Sequence, residues 1–431
     1  MRFGRDGATE RAADGRGVDE RGVDERGVDQ PGAAENDTAG RRWGRRGVLK
    51  AAAVAAPAGM LVACTGDDDS AGAGTGDGGG GEPAEPQATI AAQPKADARD
   101  VDVTAPVKLT VAEGTFDEVT LTNEDGKAVE GSLNDDKTEW TVGEPLGYGR
   151  TYTYAATAAG GDGRTAEFDG SFSTVQPSAV VRATLYPGDD AVVGVGQPIT
   201  VKFDAPVGDR AAAQRALSVT TEPQVEGAWA WLNDQQVDWR PREYWPANTR
   251  VEVAAKLYGV HYGGGSYGKA DVTTKFSIGR NQVVKVHTPE HRMRVYRDGA
   301  EVANYPCSNG KDANPDLNTP NGTVIVMTKE PTSIFDNEEY GYTDVKKTWC
   351  CRISNHGEYI HENQENAANI GKKNTSHGCI NLFADDAKAY FDSAMLGDPV
   401  EVTGARADFP TTSDVMDWLL DWETWKSKSA L

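Results

Sequence analysis

Ser376-His377-Gly378-Cys379-Ile380-Asn381, with the run Gly357-Glu358-Tyr359-Ile360-His361 upstream of it, decides how this chain is read. The first stretch places a thiol directly after a His-Gly pair. The second reads as a strand with apolar flanks that delivers His361 to a fixed place. A cysteine acting on an amide needs a base to make the thiolate, donors for the developing oxyanion, and access to substrate. Gly378 removes a side chain beside the thiol, so backbone N–H groups around Cys379 can approach a carbonyl oxygen. On this reading Cys379 is the nucleophile and His361 its base. Two other readings use the same residues: an inert buried thiol among surface imidazoles, and zinc held by His356, His361, His377 and Cys379. The spacing speaks against metal, because there is neither a C-x-x-C nor an H-E-x-x-H pair. No metal and no cofactor are expected.

The chain has 431 residues and a formal net charge of −22, long enough for roughly two to four domains with substantial cores. No basic block lies beyond Lys50, so nucleic acid is not an expected partner. The five cysteines divide into Cys64 in a targeting segment, Cys379 in the motif, and Cys307, Cys350 and Cys351. Buried free thiols are expected for the last group, with a disulfide from Cys307 to one of the vicinal pair left open.

Residues 1–40 are polar and Gly/Asp/Arg-rich, with Arg-Gly-Val-Asp recurring from Arg16, Arg21 and Arg26. Such a segment cannot bury enough apolar surface to fold. Arg45-Arg46-Gly47-Val48-Leu49-Lys50 then leads into a weakly apolar run from Ala51 to Ala63 that ends Leu61-Val62-Ala63-Cys64. A cationic region, a short apolar core and small residues before a cut site make a secretory signal. A spanning helix would need about 20 apolar residues. The R-R-x-x-L-K pattern resembles a twin-arginine export signal, and L-V-A-C resembles a bacterial lipobox. They imply an exported protein, cleaved before Cys64 and held by lipid on that thiol at the outer face of the plasma membrane. Residues 1–64 are therefore assigned to a disordered region plus signal. Residues 65–100, Gly/Asp/Ser-rich and then Pro/Ala/Gln-rich, are assigned to a flexible linker.

The rest reads as mainly β. In residues 101–177, Val107-Lys108-Leu109-Thr110-Val111 and Thr151-Tyr152-Thr153-Tyr154 alternate with period two, and Asp125-Gly126 is a hairpin signal. A small immunoglobulin-like sandwich fits. Residues 178–280 form a second such unit, with strands at Val180–Leu185 and Ile199–Phe203 and a short helix capped by Asp209. Trp229-Ala230-Trp231 and Val237-Asp238-Trp239 make a hairpin whose tryptophans are core or, on the alternative reading, a sugar-stacking platform. Residues 281–404 are again β-rich, with strands at Val283–Val286 and Met293–Arg297 and a turn at Asn318-Thr319-Pro320-Asn321-Gly322 before an apolar strand. Asp385 and Asp386 open one main helix with an apolar face of Ala387, Tyr390, Phe391 and Met395. In residues 405–431, Trp418, Trp422 and Trp425 share one face of an expected helix. The acidic groups Asp414, Asp417, Asp421 and Glu423 suit an anionic membrane poorly. That stripe is expected to dock on its own chain.

The string N-T-S-H-G-C-I-N preceded by G-E-Y-I-H resembles the signature of the L,D-transpeptidase (YkuD-type) catalytic domain. The order, His before Cys, is the reverse of that in papain-like peptidases. T-P-N-G before a strand recurs in the same family. V-E-G-A-W-A-W-L-N through W-R-P, and Y-G-V-H-Y-G-G-G, resemble the immunoglobulin-like domain that precedes the catalytic domain in actinobacterial members. The resemblance thus implies two immunoglobulin-like β-sandwich domains followed by a β-rich catalytic domain with one main helix and a C-terminal helical tail. It also implies acyl transfer between peptidoglycan stem peptides. A Cys379 acyl-enzyme forms with loss of D-alanine, and a diaminopimelate amine on a neighbouring stem then takes it. Carbapenem-type β-lactams would mimic the acyl donor.

Carried over residue by residue, the backbone near His377, Gly378 and Cys379 forms the oxyanion hole. Ser376 ties down the loop, and Asn381 makes a loop hydrogen bond or touches substrate. Tyr342 lies where the family's lid carries an aromatic residue over the donor. Glu362 stands where the family commonly has Ser or Gly; it would orient His361 through its main-chain carbonyl or its carboxylate. His356 would bind a stem carboxylate or be an exposed loop histidine.

Overall fold

Strands dominate because β-branched and aromatic residues recur at period two, which puts them on one face of an extended chain. Thr151–Gly160, for example, buries Tyr152, Tyr154, Ala156 and Ala158 and turns the alternate residues outwards. The computed structural model describes residues 87–431 apart from 162, 338–340 and 413–414. The signal segment, Cys64 and most of the expected linker lie outside the described residues.

The first sandwich packs a sheet ordered Thr89–Gln93, Lys108–Ala112, Glu139–Val142, Gly131–Leu133 against one ordered Gly114–Asn123, Thr151–Gly160, Thr165–Ser173. Leu109, Phe116, Leu121, Tyr154 and Phe172 fill the space between them. Thr89–Gln93 corrects the linker boundary. It pairs antiparallel with Lys108–Ala112 and lays Ile90 and Ala92 against the core. Its Ala/Gln-rich composition concealed an alternation sufficient for an edge strand. Asp125-Gly126 does form a turn, with Gly126 at φ 77°, but the expected hairpin is reduced to one bridge, Thr122 to Ala128. Gly131–Leu133 pairs instead with Glu139–Val142.

In the second sandwich the tryptophan hairpin is present, with Trp229 opposite Trp239. Trp231 and Trp239 are buried, so they are core and not a sugar platform. Asp209 caps the helix Arg210–Arg215 by accepting from the Ala212 N–H at 2.9 Å.

The catalytic region holds two sheets. One runs Ala300–Pro306, Arg292–Arg297, Gln282–His287, Pro399–Thr403, Gly322–Ile325. The other runs Thr328–Asn337, Tyr342–Arg352, Tyr359–Glu362, Ile380–Leu382. Their shared core includes Val284, Val295, Val324, Ile360, Ile380, Leu382 and Val400, and the helix Ala384–Ser393 buries Ala387 and Tyr390 against it. Cys307, Cys350 and Cys351 are buried and free, so the alternative disulfide is not made.

The tail departs from its expected helical stripe. Asp421 caps a helix only at Trp422–Ser427, accepting from the Thr424 N–H at 2.9 Å, and Trp418 precedes it. The tryptophans nevertheless converge on the second sandwich. The Arg240 guanidinium lies 4.5, 5.4 and 4.9 Å from the rings of Trp418, Trp422 and Trp425. Trp418 Nε1 donates to the Gly196 carbonyl at 2.6 Å and Trp425 Nε1 to that of Ala228 at 2.9 Å. Nearby, the Gly194 N–H donates to the Leu396 carbonyl at 2.6 Å. A Cβ at Gly194 would meet the Asp398 amide nitrogen at 2.4 Å, so only glycine permits this approach.

Candidate active site

The strands Tyr359–Glu362 and Ile380–Leu382 run parallel, with Ile360 beside Ile380 and His361 beside Asn381. Successive side chains leave opposite faces of a strand. Ile360, Ile380 and Leu382 enter the core, while His361 and Asn381 take the other face, and Cys379 lies two residues before Asn381 along the same chain. The alternation written in the sequence thus collects thiol, imidazole and amide on one side of the sheet. All three line a cavity of about 320 Å³, roofed by Phe335, Val345 and Lys347 of the hairpin formed by Thr328–Asn337 and Tyr342–Arg352.

His361 is 3% exposed. Its Nδ1 lies 2.6 Å from the Glu362 carbonyl oxygen. A carbonyl can only accept, so Nδ1 carries the proton and Nε2 keeps its lone pair. Asn381 Nδ2 donates to that Nε2 at 3.2 Å. The Asn381 amide is oriented by its other end, where Oδ1 accepts from Asn363 Nδ2 at 2.9 Å and Asn366 Nδ2 at 3.0 Å. Burial pushes His361 down to about 4, against the raising effect of the Glu362 carbonyl and with some help from the Lys347 charge. The ring is neutral at physiological pH, as a base must be.

Of the two orienting modes for Glu362, the structure has the main-chain carbonyl. The carboxylate turns away, accepting from Thr348 Oγ1 at 2.9 Å and the Gln364 N–H at 2.8 Å.

Cys379 is partly exposed at the cavity floor, and its Sγ donates to the Gly357 carbonyl at 3.6 Å. The protein packed around the sulfur pushes the thiol up to about 12, with the Tyr359 backbone N–H opposing this and Glu358 adding to it. The resting pair is therefore neutral thiol and neutral imidazole.

The loop ahead of Cys379 is braced from both sides. Ser376 Oγ donates to the Cys379 carbonyl at 2.6 Å and accepts from the Gly378 N–H at 3.2 Å. That second bond commits one of the amides expected at the oxyanion hole to the loop itself. Gly378 has φ 121°, a conformation that favours glycine. Its carbonyl accepts from Thr319 Oγ1 at 2.7 Å, and that threonine oxygen in turn accepts from the Gly310 N–H at 2.9 Å. The Thr319-Pro320-Asn321-Gly322 turn is thus a brace for the catalytic loop.

His377 is exposed at the cavity rim. His356 is exposed on the loop after Ser354 and does not line the cavity, so the four residues considered for zinc are not brought together. Tyr342 begins the second strand of the roof hairpin opposite Asn337; its side chain lies outside the described ones. The aromatic ring that packs on the site is Phe335, 5.1 Å edge-on from the His361 ring and 4.7 Å from Tyr359. Sequence reasoning missed Phe335, Lys347, Thr319, Asn363 and Asn366. The amide-dense run Glu362-Asn363-Gln364-Glu365-Asn366 was a usable signal for the last two. Thr319 lay in the T-P-N-G turn already singled out, without its role, and nothing local marked Phe335 or Lys347.

The chain is similar to known proteins over most of its length. Residues 281–402 match the L,D-transpeptidase catalytic domain family (YkuD), and residues 98–261 match a bacterial Ig domain family (Big_10). L,D-transpeptidase 5 of Mycobacterium tuberculosis (strain ATCC 25618 / H37Rv) is 43% identical over 377 residues, 86% of this chain and 82% of that protein. L,D-transpeptidase 2 of Mycobacterium tuberculosis (strain CDC 1551 / Oshkosh) is 37% identical over 341 residues, 77% of this chain and 82% of that protein. A solved structure of the L,D-transpeptidase LdtMt1 in complex with imipenem is 33% identical and covers 53% of this chain and 100% of its own, with a TM-score of 0.45. A mainly β chain with immunoglobulin-like domains ahead of a YkuD domain, and this degree of identity over most of its length, belongs to the L,D-transpeptidase family.

Proposed function

We propose that this L,D-transpeptidase forms 3-3 cross-links in peptidoglycan through an acyl-enzyme on Cys379. The Asn381 amide releases His361 Nε2, and the thiol leaves the Gly357 carbonyl and gives its proton to that nitrogen, while Sγ bonds to the carbonyl carbon of the third residue of a donor tetrapeptide. Backbone N–H groups at the turn into Cys379 hold the oxyanion. Collapse breaks the C–N bond, His361 returns the proton to the leaving nitrogen, and D-alanine departs from a thioester. The side-chain amine of diaminopimelate on a neighbouring stem attacks that thioester and loses a proton to His361. The C–S bond then breaks, and Cys379 is restored as a thiol. Carbapenem β-lactams, whose strained amide stands in for the donor carbonyl, acylate the same sulfur. The chain acts at the outer face of the plasma membrane, tethered by lipid on Cys64.

The observation that carries this reading is the tautomer of His361. Its proton is held at Nδ1 by the Glu362 carbonyl, so Nε2 is the accepting nitrogen in the cavity that Cys379 also lines, occupied at rest by the Asn381 amide.

The test is mass spectrometry of products from the full chain and its Cys379→Ala variant, given a diaminopimelate-containing disaccharide-tetrapeptide. Dimers lighter by one D-alanine, absent with the variant, are expected. Tripeptide without dimer would move the reaction to hydrolysis. Unchanged substrate with folded protein would sink the proposal. A carbapenem adduct on the intact mass, lost in Cys379→Ala, checks the nucleophile separately.

A further inference from the structure

Lys347 is the part of the cavity that the reaction scheme leaves unused. It is 8% exposed, and lysine is almost never buried unless its charge is paired. Two of its donors reach Asn363 Oδ1 at 3.1 Å and Glu365 Oε2 at 3.3 Å. The pairing is lopsided, because the Glu365 side chain is 86% exposed against 10% for that of Lys347. An ion pair with one partner in solvent holds weakly, so Glu365 can swing out and yield its place to another carboxylate.

The charge of the cavity points the same way. Among the residues that line it, Lys347 and Glu365 are the formally charged ones. The whole chain carries a formal −22, a field that repels an anionic peptide. Once Glu365 turns outwards, the ammonium gives the cavity a local positive charge beside the nucleophile. A stem tetrapeptide is such an anion, with free carboxylates on its terminal D-alanine and on diaminopimelate. A purely structural lysine would be an expensive way to satisfy one asparagine oxygen, which a neutral donor could do without desolvating a charge.

We propose that Lys347 seats a free carboxylate of the donor stem peptide in the catalytic cavity, with Glu365 as the carboxylate that the substrate displaces. This rests on the reading of Cys379 as the nucleophile of a stem-peptide transpeptidase. Lys347 is a substrate-binding residue on this account; it reaches the base through Asn363, which accepts from its Nζ and donates to Asn381.

The test uses the full chain carrying Cys379→Ala, so that binding is read without turnover, and titration calorimetry with three peptides: the tetrapeptide, its C-terminal D-alanine amide, and its diaminopimelate amide. The tetrapeptide is expected to bind Lys347→Met about 10- to 100-fold more weakly, Lys347→Arg within several-fold of the parent, and Glu365→Gln a few-fold more tightly. The amide that removes the seated carboxylate should bind weakly to the parent and be indifferent to Lys347→Met; which amide does so identifies the carboxylate. In the active enzyme Lys347→Met should raise KM by more than it lowers kcat, the kcat loss coming from the Asn363 oxygen that loses its donor.

The proposal is overturned if both amides bind the parent as tightly as the tetrapeptide does. It is also overturned if Lys347→Met weakens all three peptides alike, the mark of a structural role. If Lys347→Met fails to fold, the amide peptides and Glu365→Gln still decide. A carbapenem adduct on Cys379 in the same preparation separates failure here from failure of the transpeptidase reading.

Discussion

A histidine kept neutral by burial has a different acid response from one in water. The sign follows from the direction of its shift. His361 falls from 6.5 to about 4 on folding, so on acidification the unfolded chain takes the proton first. The stability that His361 contributes is complete above about pH 6.5 and is lost as pH falls towards 4, roughly 3 kcal/mol in all. Urea midpoints measured across that interval should decline, and His361→Gln should flatten the decline. In kcat/KM the acid limb of the free enzyme should lie near pH 4 to 5, without an inflection at about 6.5.

The neighbours of the ring give a sharper pair of expectations. Glu362→Gln keeps the carbonyl that orients Nδ1, so kcat/KM should stay within about threefold; a tenfold fall would mean that the carboxylate matters. Asn381→Ala removes the donor at Nε2 and the acceptor of Asn363 and Asn366. It should lower kcat by about 10- to 100-fold through lost ring orientation, move the acid limb of kcat/KM to higher pH, and lower the thermal midpoint because buried amides lose their partner. The thiol and imidazole were legible in the sequence because motif spacing records them. The state of His361 was not, because it depends on an amide chain through Asn363 and Asn366 whose side chains meet only in three dimensions.

Among the elements, the brace between the Thr319 turn and the catalytic loop is the most exposed to a single change. Thr319→Val keeps the shape but leaves the Gly310 N–H and the Gly378 carbonyl without that oxygen. Because Thr319 is 1% exposed, a loss of about 1–3 kcal/mol is expected by denaturant titration, with a parallel fall in kcat. Strands that alternate strongly, such as Thr151–Gly160 and Ile199–Phe203, were readable from period alone. Thr89–Gln93 was not, since an edge strand beside a Pro-rich stretch needs little apolar surface. The tail helix was drawn too long because tryptophans at helical spacing suggested a stripe. They meet Arg240 from a turn and a short helix together.

Across the whole molecule, the second sandwich and the catalytic region are joined at Gly194 and again by the tail around Arg240. Arg240 is 2% exposed and donates to the Leu420 carbonyl at 2.9 Å. Arg240→Met should therefore free the tail, giving new protease cuts between Asp417 and Lys428 and a thermal midpoint lower by several degrees, as expected for losing a desolvated cation–π cluster of about 2 kcal/mol or more. An uncut tail would count against the clasp. That the tryptophans dock on their own chain was legible in the sequence; their partner Arg240 was not, because the contacts join residues far apart along the chain, as when Trp418 reaches Gly196.

The clasp also orders events in time. Residues 418–425 leave the ribosome after both bodies they join, so the sandwich and the catalytic sheets can each complete their strands while still free to swing. Their mutual orientation, begun at the Gly194 contact, is completed when Trp418 and Trp425 reach Arg240. A nascent chain interrupted shortly before Trp418 would hold a finished catalytic loop on the Gly194 contact without the tail, which makes a segment translated after the active site the one that completes the geometry around it.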